Sequence, residues 1–357
     1  MTMKHALTIL SIMLCALTAQ AQVEWLETEH NFGAFHEADG KAACTFRFVN
    51  HGNEAVAIIG ARANCGCTSP QYPLDPVAPG DTAAISVAYD PAGRPGRFTK
   101  YVQVEISGQP RQRLAINGVV IGEASSIGSQ YPADFGPLKL RRGAIMVGQV
   151  DKGRLKTSSL SMYNSTVDSL RPLFADMPEY IDVALVPEVI PPGEQSAMTL
   201  YFRSGKCLLY GLVENEITLI PDPALPDSVY RLPVTAIVNE DFSRLSPDQM
   251  KKAPIAAPET TGLDLGSTDG STPLEGEIRL SNVGKSTLYV RRVYSTDPGI
   301  SATVSSDEIK KGKSATIRVT VNPQAISGKI INAKLSLISS DPLNPVQTLR
   351  VTGIIKR

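Results

Sequence analysis

The chain has 357 residues, of which 42% are hydrophobic, and its 35 basic and 35 acidic side chains leave no net charge. This balance lacks the basic excess of nucleic-acid-binding proteins, and no block of like charge indicates a membrane-binding face. The length favours two or three domains over one small core. The 28 glycines and 26 prolines suit short strands joined by many turns.

The N-terminus has the pattern of a secretory signal peptide. A basic start at Lys4-His5 precedes the apolar run 6–17, which is too short to span a bilayer. The small residues Ala19-Gln20-Ala21 then supply a cleavage site. We therefore predict that residues 1–21 are removed and that the mature chain begins at Gln22.

A lipid anchor at Cys15 is the alternative for this segment. Lipoprotein sites carry a small residue just before the cysteine, and Leu14 stands there instead. No later segment has the length and apolarity of a membrane helix. We therefore expect an exported protein, periplasmic or extracellular, without a membrane span.

Strand signals dominate the rest of the chain. Residues 45–49, 84–89 and 101–106 alternate apolar and polar side chains, which is typical of half-buried strands. Turn sequences such as Asn117-Gly118 separate these runs. The single helix that we predict is short, at 246–250, where a serine cap precedes a proline.

One pattern occurs three times along the chain. Each occurrence has a strand that ends in asparagine, at Asn50, Asn164 and Asn282, with apolar residues two and four positions earlier. Such pairs share a strand face, so Phe46 and Phe48 should point into a core. An apolar residue followed by glycine opens each repeat, at Phe32-Gly33, Phe135-Gly136 and Leu265-Gly266. A turn glycine follows each asparagine, at Gly80, Gly193 and Gly312.

The period of this pattern is the length of a whole β-sandwich domain. We therefore predict an all-β protein with three tandem immunoglobulin-like β-sandwich domains after the signal peptide. They occupy residues 22–122, 123–239 and 263–357, and a Pro- and Ala-rich linker covers 240–262. The cysteine pair and core tryptophan of antibody domains are absent, because the single tryptophan, Trp25, lies at the mature N-terminus.

The first repeat also resembles a known family. The motifs that carry the resemblance are Phe32-Gly33, Phe46-Arg47-Phe48-Val49-Asn50, Cys65-Gly66-Cys67-Thr68, Gly93-Arg94-Pro95-Gly96-Arg97-Phe98 and Asn117-Gly118-Val119. Over residues 23–121 they resemble the bacterial domain-of-unknown-function family numbered 1573. That family is similar to the immunoglobulin-like domains of major sperm protein and of cilium-associated proteins. The resemblance implies fold and export, and it supplies no activity.

Cys65 and Cys67 form the sharpest candidate site. They are a possible disulfide, since Gly66 between them can bend the backbone. They are also candidate metal ligands, because thiolates bind soft ions such as Cu(I), although a closed zinc site needs four ligands. A redox-active dithiol is the third interpretation, although redox pairs usually have two intervening residues. The other repeats lack this pair, which indicates a function specific to the first domain.

The remaining cysteines are predicted to be buried, inert thiols. Cys44 shares its strand face with Phe46. Cys207 follows a glycine-cation pair as Phe98 and Ile330 do, which predicts a core position for all three.

Two arginines of the first domain are a candidate anion-binding pair. Arg94 and Arg97 occupy a glycine- and proline-rich sequence between two strands. A solvated turn is the favoured interpretation of this sequence.

The sequence has no serine nucleophile elbow, phosphate-binding loop, zinc-protease motif or dinucleotide fingerprint. We therefore predict no catalytic residue, no cofactor and no resident metal. The predicted function is that of a non-enzymatic binding or scaffold protein, whose partner is another envelope or secreted protein and not a nucleic acid. The alternative is a thiol-redox or copper-handling protein that acts through Cys65 and Cys67.

Overall fold

The computed structural model describes residues 23–224 and 227–356 of the chain. The predicted signal segment, including Cys15, lies outside the described residues. Strands account for 56% of the structure and helices for 5%, so the class is all-β, as predicted. Among the described residues, no helix has the length and apolarity needed to cross a membrane.

The elements follow one another in three groups along the chain. Residues 23–121 form β1 Val23–Trp25, β2 Glu29–His36, a 3₁₀ helix Glu37–Asp39, β3 Ala42–Asn50, β4 Ile58–Ala63, β5 Thr68–Gln71, β6 Thr82–Tyr89, β7 Gly96–Ile106 and β8 Gln112–Ile121. The second group is α1 Ala124–Ile127, β9 Ala133–Phe135, β10 Leu138–Leu140, β11 Ile145–Asp151, β12 Leu155–Asn164, β13 Leu173–Ala175, β14 Ile181–Val186, β15 Gln195–Arg203, β16 Gly211–Ile220 and β17 Tyr230–Asn239.

The third group begins inside the predicted linker. It is α2 Pro247–Lys251, β18 Ala256–Pro258, β19 Gly262–Thr268, β20 Leu274–Asn282, β21 Leu288–Tyr294, β22 Ile300–Val304, β23 Glu308–Ile309, β24 Ser314–Val321, a 3₁₀ helix Pro323–Ala325, β25 Ile330–Ser339 and β26 Val346–Ile355. The predicted helix is confirmed as α2, and the Ser246 hydroxyl caps it by accepting a bond from Gln249 N.

Two compact units divide the described chain. The first comprises residues up to Arg141 together with Ser161–Pro172 and Pro187–Ser196. The second comprises Arg142–Leu160, Leu173–Val186 and residues from Ala197 onward. The fold-class prediction of tandem immunoglobulin-like domains is confirmed. The exact boundaries of three domains stay a prediction, because the division into units passes through β12 and β15.

In the first unit, residues 23–121 form two four-stranded sheets around one core. The strand orders are β1-β3-β6-β5 and β2-β8-β7-β4. Phe46 and Phe48 are fully buried in this core, as the alternation predicts. Tyr89 stacks on Phe98 from the opposite sheet, with 3.9 Å between ring centroids. This stacked pair therefore joins the two sheets face to face, which is the architecture of a β-sandwich.

The repeated asparagine has the same structural role in each repeat. Asn50 is fully buried, and its Nδ2 donates to Glu54 O at 2.8 Å and Val77 O at 3.0 Å. Its Oδ1 accepts from Gly52 N at 2.9 Å. Asn164 and Asn282 are equally buried and make the corresponding three contacts. The side chain thus connects the strand end to the following loop and to a segment 26 or 27 residues further along the chain.

A second shared feature is the parallel pairing of an early strand with the last strand. The pairs are β2 with β8, β11 with β17, and β19 with β26, and each has a register shift. Gly33 and Gly266 lie at two of these shifts with φ of 69° and 71°, values that favour glycine. Gly136 also has positive φ but lies between β9 and β10, so the second repeat uses its apolar-glycine pair differently.

The segment after β8 is fastened to the first domain by Glu37. One carboxylate oxygen of Glu37 accepts from Gly93 N at 2.6 Å. The other accepts from the Ser126 hydroxyl at 2.6 Å and from Glu123 N at 3.2 Å. The bond from Ser126 is the main cause that lowers the pKa of the Glu37 carboxyl below its ordinary value. The predicted boundary at residue 122 is therefore bridged by hydrogen bonds and is not a free hinge.

In the second unit, residues 256–355 form two sheets, ordered β18-β20-β24-β22 and β19-β26-β25-β21-β23. The predicted linker 240–262 is shorter than expected, since Ala256 pairs with Asn282 and makes β18 part of a sheet. Asp341 fixes β18 further, because its buried carboxylate accepts from Ala256 N at 3.1 Å. A three-residue strand is too short for its alternation to be recognised in sequence.

Candidate functional site

The Cys65-Gly66-Cys67 sequence forms a crossing between the two sheets of the first domain. It joins β4, the outer strand of one sheet, to β5, the outer strand of the other. Cys65 follows β4 by two residues, and Thr68 is the first residue of β5. The candidate site therefore lies where the free edges of both sheets meet.

Cys65 and Cys67 are joined by a disulfide, with 5.3 Å between their Cα atoms. Cys67 is 8% exposed and belongs to the core, whereas Cys65 is only partly buried. Gly66 is exposed, and no atom lies within 4 Å of the position that a Cβ would take there. Cys65 is thus the more exposed residue of the bridge, although it also packs against the core.

The Thr68 hydroxyl lies beside both sulfurs. Its Oγ1 is 3.6 Å from Cys65 Sγ and 3.8 Å from Cys67 Sγ, and Thr68 is 4% exposed. A disulfide sulfur carries no hydrogen, so the hydroxyl is the only possible donor, and its single hydrogen points to one sulfur or is shared between the two. Thr68 belongs to the Cys-Gly-Cys-Thr motif, but its contact with the sulfurs depends on how the backbone turns at Gly66 and has no signal in the sequence.

Backbone hydrogen bonds fix the chain on both sides of the disulfide. Asn64 N donates to Tyr101 O at 3.1 Å, and Asp90 N donates to Cys67 O at 2.8 Å. Thr68 also pairs with Tyr89 in the ladder between β5 and β6. The crossing therefore has its own main-chain anchors in each sheet.

The histidines do not extend this site into a metal centre. His51 Nε2 lies 2.7 Å from a Glu24 carboxylate oxygen, and His30 lies against the Phe32 ring with 4.8 Å between centroids. Within residues 23–224 and 227–356, no group of three or more His, Cys, Asp or Glu side chains is placed to hold a metal ion. In the oxidised form, Cys65 and Cys67 have no thiolate to offer.

Cys44 and Cys207 are buried free thiols, as predicted. Burial, with a smaller contribution from Glu27, raises the pKa of the Cys44 thiol to about 11. Such a thiol is almost entirely protonated at neutral pH and is a poor nucleophile.

The alignment behind the Cys207 prediction was wrong. Phe98 lies opposite Gly118, and Ile331 lies opposite Gly353 at the matching place in the third domain. Ile330 is consequently 72% exposed and is not a core residue. Val213 occupies the corresponding place in the second repeat, and Cys207 is buried in the loop before β16.

Arg94 and Arg97 contact separate acceptors. Arg94 Nη1 donates to Ala92 O at 2.6 Å within the turn. Arg97 lies 3.4 Å from a Glu194 carboxylate oxygen, and its side chain is 69% exposed. These contacts agree with the turn interpretation, because neither guanidinium is held toward a shared anion position.

The geometry of this first domain can be compared with known proteins. Residues 23–120 match the family described as "Protein of unknown function (DUF1573)". The first domain thus has the resemblance that its motifs predicted. Residues 259–354 match the family described as "HYDIN/CFA65/VesB-like, Ig-like domain". Neither description names an enzymatic activity.

Two solved structures illustrate the likeness to other proteins. A protein of unknown function from Porphyromonas gingivalis W83 is 21% identical, with 62% of this chain and 100% of that chain covered and a TM-score of 0.48. The secreted serine protease VesC from Vibrio cholerae is 9% identical, with 52% and 48% covered and a TM-score of 0.27. No curated protein matches the chain.

Proposed function

We propose that the protein is an exported, non-enzymatic binding or scaffold protein whose DUF1573-matched domain binds a partner along strand β4. The observation that carries this proposal is the position of β4 at the end of the sheet order β2-β8-β7-β4. An outer strand presents backbone N–H and C=O groups on its free side. An extended segment of a partner adds to such a strand through main-chain hydrogen bonds.

The two strands that meet at the disulfide crossing differ as binding edges. β5 is only four residues long and contains Pro70, which has no N–H to donate and protects an edge from pairing. β4 has no proline, and Gly60–Ala63 run in regular register with β7. Ile59 is 62% exposed beside this stretch. β4 is therefore the edge that offers both main-chain groups and an apolar contact.

The partner that fits this edge is an extended segment of another envelope or secreted protein. Main-chain pairing supplies affinity, and an apolar side chain of the segment would cover Ile59. The second and third domains act as spacers and as additional contact surface. No cofactor is needed for such a function.

A positive charge at position 59 should weaken this binding. Ile59→Lys places an ammonium group where the partner's apolar side chain would pack, so we expect recovery of the partner after crosslinking in the native cell to fall about tenfold. The control is Leu74→Lys, since Leu74 is 84% exposed in the same domain and lies outside β4. Equal recovery with both variants, or stoichiometric copper on the purified protein, would count against the proposal.

If the protein is exported as proposed, residues 1–21 are removed. Intact-mass analysis of the protein recovered from cells should show a mature chain that begins at Gln22. A chain that retains Met1, or one that carries lipid at Cys15, would contradict cleavage after Ala21.

A further inference from the structure

We propose that the Cys65–Cys67 disulfide exchanges with the thiols of an external dithiol, that attack occurs at Cys65, and that Thr68 holds the released Cys67 thiolate. This activity goes beyond the binding function proposed above and does not depend on it. The proposal rests on the unequal burial of the two cysteines, on the position of Thr68 and on the main-chain hydrogen bonds on both sides of the bridge.

Access to the bridge favours attack at Cys65. Cys65 is partly buried and lies next to the exposed, open Gly66, whereas Cys67 is 8% exposed within the core. A thiolate must approach one sulfur in line with the S–S bond, so attack is expected at the cysteine that is the more exposed of the two. The buried sulfur is then the leaving group.

The exchange balances in two steps. A thiolate of the dithiol attacks Cys65 Sγ, an S–S bond forms between them, and the Cys65–Cys67 bond breaks with its electron pair passing to Cys67 Sγ. The second thiolate of the dithiol then attacks the first sulfur of the same dithiol, which is bonded to Cys65 Sγ in the mixed disulfide, and Cys65 leaves as a thiolate. Both released thiolates take protons from water. The dithiol is oxidised to a disulfide, and Cys65 and Cys67 are reduced.

Thr68 compensates for the burial of the leaving sulfur. A thiolate in apolar surroundings is disfavoured, which would slow departure of Cys67. The Thr68 hydroxyl already lies 3.8 Å from Cys67 Sγ and is shielded from water. Its hydrogen bond strengthens when the sulfur becomes negative, because bonds to charged acceptors are the stronger ones.

The fold tolerates opening of the bridge. Asn64 and Cys67 are held by main-chain bonds to Tyr101 and Asp90 that do not involve the sulfurs. The closed loop contains a single residue, so its chain-entropy contribution to stability is small. The crossing can therefore cycle between oxidised and reduced forms without loss of the sandwich.

The first test measures reduction of the full-length mature protein by dithiothreitol at pH 8, followed by acid quenching, alkylation and mass analysis. We expect Thr68→Val to slow reduction about tenfold, because it removes one hydrogen bond to a developing charge. Thr68→Ser keeps the hydroxyl and should restore most of the rate. Equal rates for the wild type and Thr68→Val would overturn the role of Thr68.

The second test asks which sulfur is attacked and leaves Thr68 intact. With oxidised glutathione as the probe, Cys67→Ser should form a mixed disulfide at Cys65 at least about tenfold faster than Cys65→Ser forms one at Cys67. Cys44 and Cys207 should stay unlabelled in the folded protein, since both are buried. Faster labelling of Cys67, or reduction of the wild type only in denaturant, would overturn the proposal.

Discussion

Asn50→Ala should lower the free energy of unfolding of the first domain by about 3 kcal/mol, since three hydrogen bonds of about 1 kcal/mol each are lost. The bonds are those of the Asn50 side chain to Glu54, Val77 and Gly52. The protein has one tryptophan, Trp25, whose ring lies 5.1 Å from that of Phe48. Urea unfolding followed by tryptophan fluorescence therefore reports on this domain alone.

The matched control for this variant is Asn53→Ala. Asn53 is exposed and lies in the loop that Asn50 fastens. Its removal should change the free energy of unfolding by less than about 0.5 kcal/mol. If the two variants unfold at the same urea concentration, the buried asparagine is not a fastening element and the repeated pattern needs another cause.

Asp341→Ala should cost the third domain about 4 kcal/mol. The Asp341 carboxylate is fully buried and accepts from Ala256 N at 3.1 Å, Leu343 N at 2.9 Å and Asn344 N at 3.2 Å. Bonds to a charged acceptor are the stronger class, and their loss leaves three donors without that partner. Urea unfolding by far-UV circular dichroism measures the loss, and hydrogen exchange at Ala256 should accelerate.

Two controls separate the carboxylate from a general effect of mutation. Asp307→Ala removes an exposed aspartate of the same domain and should cost less than about 0.5 kcal/mol. Asp341→Asn keeps the size and one acceptor oxygen, so it should cost about half as much as Asp341→Ala. Unchanged protection of Ala256 in Asp341→Ala would show that β18 is held by its ladder alone.

Much of the fold was predictable because local and tertiary signals agree. Alternation placed Phe46 and Phe48 in the core, where the structure buries both. The repeated asparagine was visible as a pattern, and its buried hydrogen bonds explain why that residue type occurs there. Its short amide reaches two carbonyls and one N–H at once, which no apolar side chain can do.

The errors have equally specific causes. Ile330 and Cys207 share with Phe98 a preceding glycine and basic residue, which suggested that all three take the same place in the fold. Turn residues, however, do not determine at which residue the hydrogen-bonded pairing of the next strand begins. The predicted linker 240–262 is too long because it includes β18, a strand that is recognisable only through its pairing with β20. Glu37 contacts Ser126 across 89 positions in sequence, and no local pattern indicates such a bond.

The candidate site was predictable in position but not in geometry. The Cys65–Cys67 pair was conspicuous in the sequence, but a sequence does not show that Cys67 is buried in the core while Cys65 is only partly buried. Nor does it show that the crossing lies between two free edges, since strand order depends on pairing across the whole domain.

The parallel pairing of β2 with β8 determines when the first domain can close. Glu29 pairs with Ala115, so the β2–β8 pairing can form only after the much later segment that contains β8 has been synthesised. Contacts between such distant residues slow folding, and all-β domains of this kind fold in roughly milliseconds to seconds. β8 is the last of the eight strands in residues 23–121, so the other seven are synthesised before the strand that completes the domain. During synthesis, most of the domain is therefore exposed to chaperones and proteases before the sandwich forms.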